Sequence, residues 1–172
     1  LNDYSFDYIF HHAAISDTRV LDQEIVLRTN VNSFYDVLNL AKKNNSTLVY
    51  ASSAAVYGSS NAPQVIGNED PDSPYGFSKF MMDQIASHFS KNNQKMTIVG
   101  LRFFNVYGPK EYLKKTTSSM VIQLGIQLLS GKSPRLFENS DQIFRDFIHV
   151  NEVVEANILA CSPKKMESSI LA

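Results

Sequence analysis

Short apolar runs alternate along this chain with longer segments in which apolar residues recur every three or four positions. The runs Tyr8 to His12, Thr47 to Ala51 and Met96 to Phe103 are rich in Ile, Val, Leu, Phe and Tyr. That composition suits strands covered on both faces. Between the first two, from about Asp22 to Lys43, the residues Ile25, Val26, Thr29, Asn30, Phe34, Val37, Leu38 and Ala41 fall at helical spacing. Between the second and third, Ser73-Pro74 opens a segment reaching Lys91, with Phe77, Phe80, Met81, Ile85 and Phe89 on one stripe. Strands joined by crossover helices predict an α/β fold with a parallel sheet. After Gly108-Pro109 the pattern changes to a polar, lysine-rich stretch, then a helix from about Thr116 to Ser130 stopped by Gly131. The short pieces Arg135-Leu136-Phe137 and Phe144 to Val150 follow, then a last helix opened by Asn151, running to about Cys161 and ended by Ser162-Pro163. The first strand has no element before it, and Ser168 to Ala172 fades without a closing strand. The chain therefore reads as an internal portion of a larger architecture.

Charge narrows the partners. The 172 residues carry 16 Lys and Arg against 17 Asp and Glu, a formal net charge of -1. The longest basic runs are the pairs Lys42-Lys43, Lys114-Lys115 and Lys164-Lys165, too short a footprint for nucleic acid or an anionic membrane surface. No apolar run approaches the roughly 20 residues of a membrane span, and Leu1 to Asp7 lacks the order of a secretion signal. A cytoplasmic location is the expectation. The single cysteine, Cys161, follows the apolar Ile158-Leu159-Ala160, which predicts a packing role, and no metal site is expected.

Chemistry concentrates in Tyr75-Gly76-Phe77-Ser78-Lys79. A tyrosine and a lysine four apart on a helix share a face, so the ammonium can favour the phenolate. A phenol of pKa about 10 needs such help to act as a base near neutrality. Tyr and Lys at this spacing also occur as a plain solvated pair, and context decides between the two. Upstream lies Tyr50-Ala51-Ser52-Ser53-Ala54-Ala55-Val56-Tyr57-Gly58, with hydroxyls where a buried strand ends. Ligands of open parallel sheets bind at such ends, although a serine-rich turn can also satisfy only its own backbone.

Together these residues resemble the extended short-chain dehydrogenase/reductases that modify nucleotide sugars. The resemblance implies a Rossmann-type doubly wound sheet, here without its first βαβ unit: residues 1–110 belong to the dinucleotide-binding domain. Residues 111–172 form part of a small substrate lobe plus a helix returning to the first domain. It implies Ser53 as the catalytic serine, Tyr75 as acid/base, and Lys79 holding the cofactor ribose while lowering the tyrosine pKa. Phe10-His11-His12-Ala13-Ala14-Ile15 is similar to the family's loop over the cofactor, which puts His12, Ala13, Ala14, Ile15 and Ser16 beside it. Thr29 stands where the family often carries a cofactor-touching Asn, and Val106 joins the cofactor set. Leu101-Arg102-Phe103-Phe104-Asn105-Val106-Tyr107-Gly108-Pro109 and Phe144-Arg145-Asp146-Phe147 are similar to two further family segments.

One branch, the ADP-heptose 6-epimerases that serve lipopolysaccharide synthesis, fits the residues after Pro109. There Lys114 takes the position of a second catalytic base. Substrate contacts map onto Ser53, Asn105, Thr116, Gln123, Phe137, Glu138, Asn139, Ser140 and Arg145. Lys115 stands where the branch usually has glycine, and Gln123 where histidine is usual. Inverting a carbinol centre through a carbonyl calls for proton transfer on two sides, which one tyrosine cannot serve, unless the intermediate turns over in a roomy pocket. Arg145 could instead pair with Asp146 or Glu138, and Lys114 could be an ordinary solvated lysine. The implied cofactor is NADP, with NAD as the alternative, the partner a nucleotide sugar, and the assembly a homo-oligomer. None of the seven glycines forms a G-x-x-G-x-x-G loop. Other readings are a UDP-sugar 4-epimerase, a nucleotide-sugar reductase, or a non-catalytic protein of the same fold. A 4,6-dehydratase fits less, because Ala54-Ala55 replace its Asp-Glu pair.

Overall fold

The computed structural model describes residues 4–162 and 169–171. The Pro163 stop and the Lys164-Lys165 pair lie outside them. Two compact units are distinguished: Leu1–Phe103 with Ala156–Ala172, and Phe104–Glu155. No helix among the described residues is long and apolar enough to cross a membrane.

The first unit is a Rossmann-type α/β layer structure. Strands β1 (Tyr8–His11), β2 (Thr47–Ser53), β3 (Ile98–Phe103) and β6 (Ser169–Leu171) form one parallel sheet in the order β1-β2-β3-β6. The strand β6 corrects the expectation that the chain has no closing strand. It pairs Val99 with Ser169 and Leu101 with Leu171 along the outer edge of β3. Three residues are too few to show a period, so only the free edge of β3 reveals the pairing.

Both sheet faces are covered, which explains why the strands read as unbroken apolar runs. Leu48, Tyr50 and Ile98 pack on one face with Phe34, Leu38, Ala41, Met82 and Ala86. Val49, Val99 and Leu101 pack on the other with Ala160, and Cys161 joins them half-buried. The cysteine thus packs as its apolar neighbours suggested. Gly100 has a specific cause: a Cβ there would come within 2.5 Å of the Tyr50 ring.

The predicted helix from Asp22 to Lys43 is broken. Helix α1 (Gln23–Leu27) passes through a π turn (Arg28–Asn32) into α2 (Ser33–Asn44). The wider turn lets the consecutive residues Asn30 and Val31 both face inward. Helix α3 (Pro74–Asn92) starts as expected, with the Ser73 hydroxyl accepting from the Gly76 N–H at 3.2 Å. Its inward face differs from the predicted stripe. Gly76, Ser78, Lys79, Met82, Asp83 and Ala86 are the buried positions, whereas Phe77 is exposed and Met81, Ile85 and Phe89 sit on the flank of the core. Small and polar residues take the inner face because it carries a site and an ion-pair network.

In the second unit, β4 (Asn105–Tyr107) pairs in parallel with β5 (Phe147–His149). A 3₁₀ segment (Glu111–Thr117) precedes α4 (Met120–Leu129), so the helix begins four residues later than predicted. The buried Glu111 carboxylate accepts from the Ser119 N–H and hydroxyl at 2.6 and 2.7 Å, which secures that start. Arg135-Leu136-Phe137 forms no strand. Helix α5 (Val150–Ala160) begins one residue before Asn151, whose N–H is accepted by His149 Nδ1 at 3.2 Å.

Candidate active site

Strand alternation separates the two serines at the end of β2. Ser52 is buried and its hydroxyl donates to Asp83 at 3.0 Å. Ser53 is half-buried, accepts from the Ala55 N–H at 3.1 Å and hydrogen-bonds the Tyr75 phenol. Ser53 is therefore the one beside the tyrosine. The start of α3 presses on the 3₁₀ turn Ala54–Tyr57: a Cβ on Gly76 would lie 2.4 Å from the Ala55 carbonyl oxygen. Glycine is what lets Tyr75 approach the strand end.

Lys79 is 1% exposed, and its Nζ donates to the Ala51 carbonyl at 2.7 Å while lying 5.9 Å from the Tyr75 ring centroid. Burial draws the amine down to about 8, against the pull of Asp83. The expected lowering of the tyrosine by Lys79 is not what this geometry produces. Burial pushes the Tyr75 phenol above its ordinary value, opposed by the Ser53 hydrogen bond.

The carboxyl end of β1 adds an unsatisfied group. His11 stacks on Phe34 at 5.7 Å between centroids, and its buried Nε2 has no hydrogen-bond partner. Burial, then the charges of Lys79 and His12, lowers its pKa. His12, Ala13 and Ser16 are exposed, Ala14 and Ile15 half-buried, and His12 Nε2 lies 3.0 Å from Asn157 Oδ1. An orphaned imidazole nitrogen and an ammonium with a single acceptor fit a hydroxyl-rich group such as a ribose. Nothing in the described residues supplies a glycine-rich pyrophosphate cradle.

Thr29 and its neighbour differ in their surroundings. Thr29 is exposed, whereas the neighbouring Asn30 is 1% exposed and fully engaged. Its Oδ1 accepts from the Ile15 N–H at 2.8 Å, and its Nδ2 donates to the Ile15 carbonyl and to Ser78 Oγ, each at 3.0 Å. Ser78 in turn donates to the Tyr75 carbonyl at 2.7 Å. Asn30 thereby ties the 12–16 loop to the helix that carries Tyr75 and Lys79. Its signal in the sequence was an asparagine at an apolar-stripe position.

The remaining expected residues lie in the second unit. Val106 is half-buried on β4, and Asn105 is exposed, donating from Nδ2 to the Asp146 carbonyl at 2.8 Å. Gln123 donates to the Ser118 carbonyl at 2.6 Å. Phe137, Glu138, Asn139 and Arg145 are exposed, Ser140 is half-buried, and Arg145 forms no ion pair among the described residues. The Thr116 side chain lies outside the described residues. Lys114 is exposed, and its carbonyl accepts from the Thr117 hydroxyl at 2.9 Å. Among the described residues, no group of three or more His, Cys, Asp and Glu could hold a metal ion.

Lys115 explains its own oddity. Its φ of 52° and ψ of -116° lie in a region that glycine occupies freely and a lysine does not. Lys115→Gly is expected to stabilise the chain by about 1 kcal/mol, the relief of strain exceeding the added unfolded-state entropy. Chemical denaturation checks this, and a lower midpoint for the variant would contradict it.

A family model described as "NAD dependent epimerase/dehydratase family" matches residues 1–169. The chain is 36% identical over 160 residues to an ADP-L-glycero-D-manno-heptose-6-epimerase from Brachyspira hyodysenteriae, covering 91% of this chain and 50% of that protein. Among solved structures it is similar to the Helicobacter pylori ADP-L-glycero-D-manno-heptose-6-epimerase, with a TM-score of 0.86 and 43% identity over 97% of this chain and 52% of that one. It is also similar to the UDP-N-acetylglucosamine 4-epimerase from Methanobrevibacter ruminantium M1, with a TM-score of 0.86, 29% identity, and coverage of 96% and 55%. The chain spans about half the length of the curated relative it matches. With a parallel sheet, serine, tyrosine and lysine gathered at its strand ends, and a profile match over almost its full length, the chain belongs to the NAD dependent epimerase/dehydratase family.

Proposed function

We propose that this chain carries the acid/base machinery of an ADP-heptose 6-epimerase, interconverting ADP-D-glycero- and ADP-L-glycero-D-manno-heptose at C6. The observation behind this is the Ser53, Tyr75 and Lys79 cluster at the end of β2. The higher identity to 6-epimerases than to the 4-epimerase supports the heptose as the sugar.

Ser53 orients the substrate hydroxyl against the Tyr75 oxygen. Tyr75 takes the proton of the sugar hydroxyl, as its phenolate, while hydride leaves the same carbon, and gives that proton back to the carbonyl oxygen when the hydride returns. Lys79, Tyr75 and the 12–16 loop with Val106 would hold a nicotinamide dinucleotide, NADP in preference to NAD. The chemistry supplied by that group is reversible hydride transfer at the sugar carbon. Lys114 serves as the acid/base for the opposite face of the sugar. Asn105, Thr116, Gln123, Arg145 and the run Phe137 to Ser140 bind the nucleotide sugar. The working assembly is a cytoplasmic homo-oligomer.

The test incubates the complete protein with NADP or NAD and ADP-D-glycero-D-manno-heptose, reading the epimer ratio by proton NMR. Formation of the L-glycero epimer is expected. No interconversion, together with turnover of a UDP-hexose, would transfer the assignment to the 4-epimerase reading.

A further inference from the structure

A second cluster of buried ionisable groups adjoins the site and is used neither for proton transfer nor for ligand contacts. Asp83 lies four residues beyond Lys79 and so one helical turn along the same face of α3, and the two are 0% and 1% exposed. The Asp83 carboxylate accepts from the Tyr50 hydroxyl at 2.8 Å, and from Ser52 Oγ and Arg102 Nε at 3.0 Å each. Arg102 Nη2 pairs with it at 3.0 Å and with Glu69 at 2.6 Å, while Nη1 donates to the Tyr57 hydroxyl at 2.8 Å. Every partner of Asp83 is a donor. Burial pushes the Asp83 carboxyl above its ordinary value, and the hydrogen bonds from Tyr50 and Ser52 and the charge of the contacting Arg102 guanidinium oppose that and favour the anion. Lys79 and Arg102 against Asp83 and Glu69 sum to zero only while Lys79 carries its proton.

We propose that Asp83 is a positioning residue for Lys79: anchored from β2 and β3, it fixes a negative charge one turn behind the ammonium and keeps that buried group protonated at neutral pH. Burial draws the lysine down and Asp83 resists, which agrees with this role. The other ionisable groups around Lys79 do not change charge in the same range. His11, from β1, is kept below its ordinary value by burial first. Tyr50, from β2, is pushed well above its ordinary value by burial, as Tyr75 on α3 is pushed up. Arg102, on β3, stays charged, and the guanidinium holds Glu69 ionised despite burial. The functional consequence rests on Lys79 facing the cofactor as proposed above, but the charge coupling does not.

The test titrates the full chain labelled with ¹³Cε-lysine, the Lys79 signal being assigned by its absence in Lys79→Arg. A midpoint near pH 8 is expected for the parent chain. Asp83→Asn should lower it by about one unit or more, as expected on losing a close opposite charge. Ser52→Ala, which removes a hydrogen bond but no charge, should leave it in place. Where Asp83→Asn does not fold, the parent chain decides the matter, since the proposal requires a Lys79 midpoint above pH 7. An unmoved midpoint in Asp83→Asn, or a parent midpoint below pH 7, overturns the proposal. Alongside, the alkaline limb of the kcat/KM profile should shift with the midpoint. A midpoint that moves while the profile stays supports the role of Asp83 and overturns the role of Lys79.

Discussion

Arg102→Met is expected to cost 3–5 kcal/mol of stability, roughly the penalty for removing one partner from a buried ion pair. The guanidinium is 1% exposed as a side chain and is shared between Asp83 and Glu69. Burial alone would disfavour its charge, but Tyr57, Glu69 and Asp83 together outweigh that and hold its pKa well above the ordinary value. Removing it leaves two carboxylates with uncompensated charge between β2, β3 and α3. A loss of this size is comparable with the whole stability of a marginal domain. Urea denaturation followed by circular dichroism measures it, and a midpoint equal to that of the parent chain would show the network to be energetically idle. Arg102→Lys keeps the charge but loses the planar fork, so it should fall between the two.

Tyr75→Phe is expected to lower the epimerisation rate by roughly a thousandfold, the scale of a lost general acid/base. Stability should change little, because the ring stays and only the hydroxyl, hydrogen-bonded to Ser53, is removed. Lys114→Met in the same assay should cost a comparable factor if two groups serve opposite faces of the sugar. Full activity in Lys114→Met beside an inactive Tyr75→Phe would refute the two-base scheme and leave the single-tyrosine one standing. Single-turnover measurements of epimer ratio by NMR separate these outcomes. A melting curve for each variant confirms that the loss is chemical rather than structural.

The strands were legible because each is buried on both faces, which leaves an unbroken apolar run as a signature. Helix starts were legible where a cap is local, as with Ser73 and Pro74 before α3. The inner face of α3 was not. Its apolar residues Phe77, Phe80, Met81, Ile85 and Phe89 form a convincing stripe, yet the buried positions include Ser78, Lys79 and Asp83. Periodicity counts hydrophobicity, and a helix that packs through hydrogen bonds and ion pairs presents the opposite pattern. Asn30 was hidden for the same reason, since at helical spacing a buried amide looks like an interruption of the stripe. The strand β6 was invisible because three residues carry no period and its pairing depends on the edge of β3. Lys115 was noticed as a departure from glycine, and its positive φ explains why that departure matters.

The sequence by itself determined the parallel α/β class and the placing of serine, tyrosine and lysine at a strand end and the following helix. Both follow from local spacing and composition. The tertiary structure decided which serine meets Tyr75, that Lys79 is buried as one of four charges that balance, and that burial raises the phenol instead of a neighbouring ammonium lowering it. It also decided that Asn30 tethers the 12–16 loop. These depend on desolvation and on hydrogen bonds between residues 15 to 48 positions apart, such as Asn30 with Ile15 and with Ser78. No spacing rule carries that information, because burial is a property of what the rest of the chain packs around a residue.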